Sequence, residues 1–160
     1  MDRRDLFSFG KRFINKEEAK PFVVLPPYLS DILKLEQCVS CEEKSCVNVC
    51  ETNILKLDQV GKPFVDFLEG GCTYCEECMK SCKYEVLCDS SVKIDASFEI
   101  DILSCLAWNN TMCYSCKDPC IDNAIKFIGL FRPNIETELC TNCGFCVRVC
   151  PANAIKIKPK

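Results

Sequence analysis

The sequence predicts an α+β fold of two tandem modules, each made of small helices on β-hairpins, and three observations predict it. Cysteine comes first: the chain has 17 in 160 residues and no histidine, a density that marks a disulfide or metal scaffold, roughly one residue in ten. Spacing is the second, since residues 140–151 read CTNCGFCVRVCP, a Cys-x2-Cys-x2-Cys-x3-Cys-Pro run. Repetition is the third. Cys50 is followed by ETNILKL, Cys82 by KYEVLCD, Cys120 by IDNAIKF and Cys150 by PANAIKI, with Asn53, Glu85, Asn123 and Asn153 in the same place and two apolar residues after each. Such self-similarity defines four copies of one structural unit.

The run 140–151 has the ligand spacing of a bacterial iron–sulfur ferredoxin, in which three thiolates hold one cluster and the fourth, one helical turn on, holds the cluster of the neighbouring motif. Each motif therefore needs a partner. The gaps supply the pairing, because Cys50 to Cys72 and Cys120 to Cys140 span 22 and 20 positions. Copies one and two form one bacterial-ferredoxin-like module over residues 31–90, copies three and four a second over residues 91–160, and residues 1–30 precede both as an extension. The lack of histidine excludes mixed Cys/His zinc sites, Rieske centres and histidine-ligated haem. An odd cysteine count without a credible secretory signal points to reduced thiolates rather than disulfides. A formal charge of −3 offers no broad cationic field for nucleic acid, and no apolar run is long enough to span a bilayer.

Along the chain, Arg3 and Arg4 in MDRRDLF have the look of a twin-arginine export signal. Residues 10–20, GKRFINKEEAK, carry six charges where that signal requires an apolar stretch, so a cytoplasmic protein is the expectation. Arg3 and Arg4 with Leu6, Phe7 and Phe9 read instead as a basic, mobile tail or as a docking tail. The first motif is Cys38-x2-Cys41-x4-Cys46-x3-Cys50, two residues longer in its inner loop than the regular second motif, Cys72-x2-Cys75-x2-Cys78-x3-Cys82. Between them, LKLDQVGKPFVDF at 55–67 reads as two short strands joined by a turn. Val92, Ile94, Ala96, Phe98 and Ile100 alternate at period two, a strand or extended connector. The third motif keeps Cys113-x2-Cys116-x3-Cys120, and its nearest upstream cysteine, Cys105, lies eight positions before Cys113. Residues 125–135, IKFIGLFRPNI, repeat the two-strand pattern around Gly129. A short helix is expected near the third cysteine of every copy.

Exchange of the fourth ligand gives four sets. Cys38, Cys41, Cys46 and Cys82 form set one; Cys72, Cys75, Cys78 and Cys50 set two; Cys105, Cys113, Cys116 and Cys150 set three; Cys140, Cys143, Cys146 and Cys120 set four. Four 4Fe–4S clusters follow. Cys105 and Cys88 compete for the slot in set three. Cys105 precedes its motif on the right side, whereas Cys88 falls where the other copies have Lys56, Lys126 and Lys156, and reads as a spare, partly buried thiol. Those lysines fit a solvated strand edge more readily than neutralisation of cluster charge, and Trp108 and Met112 fit a cover over set three more readily than an electron relay. No phosphate-cradling loop, nucleophile–base pair or nicotinamide fingerprint is present, so no catalytic residue is assigned and the chain is not read as an enzyme. With so little apolar surface per residue, the clusters are expected to hold the fold together.

MDRRDLF at the start, LPPY at 25–28 and above all the stretched third motif CLAWNNTMCYSCKDPC at 105–120, followed by CTNCGFCVRVCP, make the chain resemble the NapF family of ferredoxin-type proteins over nearly its full length. The resemblance implies a four-cluster cytoplasmic accessory protein of the periplasmic nitrate reductase system. It would bind the molybdenum catalytic subunit before export and assist its iron–sulfur loading. The family's cluster residues carry over to the sixteen cysteines above; the longer loop at 42–45 departs from the pattern. The other function the residues admit is a polyferredoxin electron carrier feeding a reductase or quinol-linked complex, because any reducible cluster can pass electrons.

Overall fold

A computed structural model describes residues 23–159. The elements are short, as cluster loops leave little chain for regular structure. Helix α1 (Leu35–Val39) follows a 3-10 turn whose first amides are capped by Asp31, accepting from the Leu33 amide at 2.9 Å. Then come α2 (Ser45–Asn48), β1 (Leu55–Leu57), β2 (Pro63–Val65), α3 (Glu77–Lys80), β3 (Ser97–Ile100), β4 (Ile125–Ile128), β5 (Phe131–Ile135), α4 (Phe145–Arg148) and β6 (Ile155–Lys158). Three two-stranded antiparallel sheets result, β1–β2, β4–β5 and β3–β6. The architecture is α+β, with both hairpins at 55–67 and 125–135 where the sequence places them.

One rule of register runs through all four copies. The fifth residue after each fourth cysteine pairs across a strand or bridge: Leu55 with Val65, Leu87 with Leu29, Ile125 with Ile135 and Ile155 with Ile100. The residue before it, Ile54, Val86, Ala124 or Ala154, is buried, as is its paired neighbour. That explains the two apolar residues of the repeat. The polar residue ahead of them is explained by the backbone: Asn53, Glu85, Asn123 and Asn153 all have positive φ, between 47° and 54°. Each closes a turn by donating its amide to the carbonyl of the fourth cysteine, at 3.0 to 3.2 Å. Asn adopts this left-handed conformation more readily than most residues.

Two expectations are corrected. Residues 23–30 do not stand outside the first half: Val24 bridges Val65, Leu29 bridges Leu87, and Val24, Tyr28 and Leu29 are buried. The tail proper, residues 1–22, lies outside the described residues. The second correction is the missing helix of copy three, which has only turns over 115–119. Pro119 is the reason. In copies one and two the matching amides, Val49 and Ser81, donate to Ser45 and Glu77 at 3.0 Å and close the helical turn, and proline has no N–H to give.

The main hydrophobic core runs through both halves, joining Ile54, Val65 and Phe67 to Phe98, Ile125 and Ile155, and a smaller cluster gathers Cys105, Ala107 and Ala154. Phe67 and Phe98 meet edge to face at 5.3 Å between centroids. The alternation of 92–100 is real, with Ile94, Ala96 and Phe98 buried, though only its last four residues are strand. Close packing fixes glycine at the junction: a Cβ on Gly71 would lie 2.6 Å from the Phe145 ring and 2.7 Å from the Cys143 carbonyl.

Candidate metal centre

The helices deliver the thiols. Each of α2, α3 and α4 starts one residue before the third cysteine of its motif, entered from a left-handed residue: Lys44, Glu76 or Gly144. Third and fourth cysteines stand four apart, about 6 Å along a helix axis, so one helical turn presents thiols to two different sites.

Three of the four expected groups of cysteines each line a common cavity. Cys38, Cys41, Cys46 and Cys82 line one cavity, with an atom-free volume of about 410 Å³. Cys50, Cys72, Cys75 and Cys78 line a second of about 380 Å³. Cys105, Cys113, Cys116 and Cys150 line a third of about 350 Å³. In set four, burial pushes the Cys146 thiol up to about 12, and Cys143, Cys140 and Cys120 are among the neighbours that raise it further. Burial likewise raises Cys46 to about 11, Cys78 to about 12 and Cys116 to about 11, with Cys82, Cys72 and Cys113 respectively the largest electrostatic contributors after it. Gathered thiols that resist ionisation singly are what a positively charged iron centre would deprotonate.

Among the described residues no group of three or more His, Cys, Asp or Glu side chains is set to hold a single metal ion. A zinc centre would converge its thiolates at about 2.3 Å on one atom. A four-iron cube would instead spread its thiolates over its corners. Backbone amides already point at sulfur: Tyr74 donates to Cys72 at 3.4 Å, Leu87 to Cys82 at 3.5 Å and Ala154 to Cys150 at 3.2 Å. At Cys50, burial acts upward, but donation from the Thr52 hydroxyl and from the Leu55, Ile54 and Thr52 amides outweighs it and lowers the thiol. Donors to cluster sulfur tune its charge and potential.

The competing cysteines part company here. Cys105 is buried in the third cavity, while Cys88 is exposed, its amide donating to the Tyr28 carbonyl at 2.9 Å. The reading of Cys88 as partly buried is thus corrected. Trp108 packs beside Cys105 and donates to the Pro133 carbonyl at 3.0 Å, whereas Met112 is 73% exposed and covers nothing. The longer loop of the first motif is tied down by Lys44, whose ammonium donates to the Cys38 carbonyl and, at 2.8 Å, to that of Gly61. Lys56, Lys126 and Lys156 lie on β1, β4 and β6, and Lys56 pairs with Glu69 at 2.9 Å. Sequence reasoning missed Thr52 and Tyr28. Thr52 carried no signal beyond standing two residues after Cys50, and Tyr28 none beyond its place after two prolines.

Sets two and four touch through backbone: the Cys72 amide donates to the Cys143 carbonyl at 2.6 Å, and the Tyr74 hydroxyl to the Thr141 carbonyl at 2.6 Å. No helix among the described residues is long and apolar enough to cross a membrane.

A 4Fe-4S binding domain model matches residues 133–156, the fourth motif with its flanking strands. The chain is similar to the ferredoxin-type protein NapF of Escherichia coli K12, 33% identical over 138 residues covering 82% of each chain. NapF of Haemophilus influenzae Rd is 36% identical over 158 residues, 95% of this chain and 88% of that one. The ferredoxin-type protein NapG of Escherichia coli K12 is more distant, 29% identical over 149 residues, 76% of this chain and 64% of its own length. Identity at the level of the two NapF proteins over almost the whole length, on a fold whose cysteines gather in fours, leads to one conclusion: the chain belongs to the NapF family of ferredoxin-type iron–sulfur proteins.

Proposed function

We propose that the sixteen motif cysteines hold four 4Fe–4S clusters in two tandem ferredoxin-like modules, and that the protein is a cytoplasmic accessory of periplasmic nitrate reductase. In this role it binds the molybdenum catalytic subunit directly and assists its iron–sulfur loading before export. The observation that carries the reading is the convergence of thiols from paired motifs, Cys82 with the first motif and Cys50 with the second, in a member of the NapF family. Residues 1–22 are the proposed docking tail, combining Arg3 and Arg4 with Leu6, Phe7 and Phe9. An anaerobic pull-down tests it: deleting residues 1–11 abolishes capture of the catalytic subunit while iron content stays unchanged, and retained capture contradicts docking by the tail.

A second reading, an electron carrier, is favoured by one observation. The Cys72–Cys143 hydrogen bond puts sets two and four side by side, and shared helical turns link one with two and three with four, so the sites form an unbranched series: one, two, four, three. Under this reading nitrate reduction collapses when the protein is withdrawn after its partner enzyme has matured; under the first it persists.

A further inference from the structure

Tyr28 is buried at 1% exposure, and its hydroxyl has no hydrogen-bond partner among the described residues. An orphaned buried hydroxyl is costly, and a native structure rarely keeps one without a use. Its backbone is costly as well. Tyr28 has φ of 66°, a left-handed conformation that is an outlier for a bulky residue and clusters at functional sites. Three hydrogen bonds hold it there: its amide donates to the Val92 carbonyl at 2.9 Å, and its carbonyl accepts from the amides of Cys88 at 2.9 Å and Asp89 at 3.1 Å. The ring is fixed too, edge-on to Tyr74 at 6.5 Å. What this clamp positions is clear from the surroundings, because Tyr28 lines the second cavity together with Cys50, Cys72, Cys75 and Cys78.

We propose that Tyr28 is a positioning residue for the second cluster, its clamped hydroxyl donating an O–H···S hydrogen bond to a sulfur of the group held by Cys72, Cys75, Cys78 and Cys50. This rests on the four-cluster reading above. A donor to cluster sulfur stabilises the reduced, more negative form, so Tyr28 raises the potential of set two relative to the same site without it. The third cavity has a different hydroxyl, that of Ser115, which accepts from the Cys113 thiol at 3.8 Å, and its lining beyond the cysteines is otherwise mostly apolar.

The test is an anaerobic redox titration of the full, cluster-loaded chain with dithionite, followed by electron paramagnetic resonance, for the unaltered protein and for Tyr28→Phe. The substitution keeps the ring and packing and removes only the hydroxyl. Iron and sulfide content stay unchanged, one reduction step moves to lower potential, and the others stay in place. Site-specific replacement by a fluorinated tyrosine, a stronger donor, moves the same step upward. If no step moves in Tyr28→Phe at full iron content, the proposal is overturned. If instead Cys75→Ser costs the protein no iron, the cluster assignment of set two fails, a different result from a different variant.

Discussion

The third and fourth motifs hold their cysteines by different means. In the fourth, Gly144 at φ 81° opens helix α4 and that helix delivers Cys146 and aims Cys150 across. In the third, Tyr114 stands in the place of Gly144, its ring packed on Phe127 at 4.7 Å, Pro119 forbids the last helical hydrogen bond, and turns replace the helix. Both motifs nevertheless end in the same turn, with Asn123 and Asn153 at φ 50° and 47° donating to Cys120 and Cys150. The turn after the fourth cysteine is thus common to both motifs, and the helix before it is not. The lost helix is offset by a long loop that Asn109 ties up, its side-chain amide donating to the carbonyls of Ile102, Leu103 and Cys105 at 3.3, 3.1 and 2.8 Å.

Substitutions at three positions sharpen this contrast. The larger effect belongs to Gly144→Ala: the new methyl would run into the Phe67 ring from the other half of the chain. Overpacking of this kind costs about 1–3 kcal/mol, with about 1 kcal/mol more for a left-handed alanine. Thermal bleaching of cluster absorbance reads it as a lowered midpoint, and the junction of sets two and four is the first place to loosen. The smaller effect tests the shared turn. Asn123→Val and Asn153→Val should each cost about 1–2 kcal/mol, and the glycine counterparts close to nothing. Equal losses at the two positions support the turn as the common device, while a loss at Asn153 alone ties it to the helix instead.

Much of this was legible in the sequence because the signals are local. Ligand spacing, the turns at Gly61 and Gly129 with φ of 87° and 68°, and the alternation of Ile94, Ala96 and Phe98 are written within a few residues of where they act. Pro119 was equally visible, and the regular cysteine spacing around it masked its effect. What could not be read is long-range. The pairing of β3 with β6 closes a loop spanning most of the second half, and only the fold brings Gly71 against Phe145. Tyr28 illustrates the limit: LPPY at 25–28 reads as irregular chain, and its burial against the second cavity follows from Leu29 meeting Leu87. Polar residues whose partner is a bound group carry no pattern of their own.

The central claim is that sixteen of the 17 cysteines are ligands arranged by exchange, with Cys105 completing set three and Cys88 outside every set. Anaerobic iron and sulfide analysis of the full chain beside Cys105→Ser and Cys88→Ser tests it most directly. The account predicts iron for four clusters in the unaltered chain and in Cys88→Ser, and the loss of one cluster in Cys105→Ser. Iron lost from Cys88→Ser and kept in Cys105→Ser would contradict it.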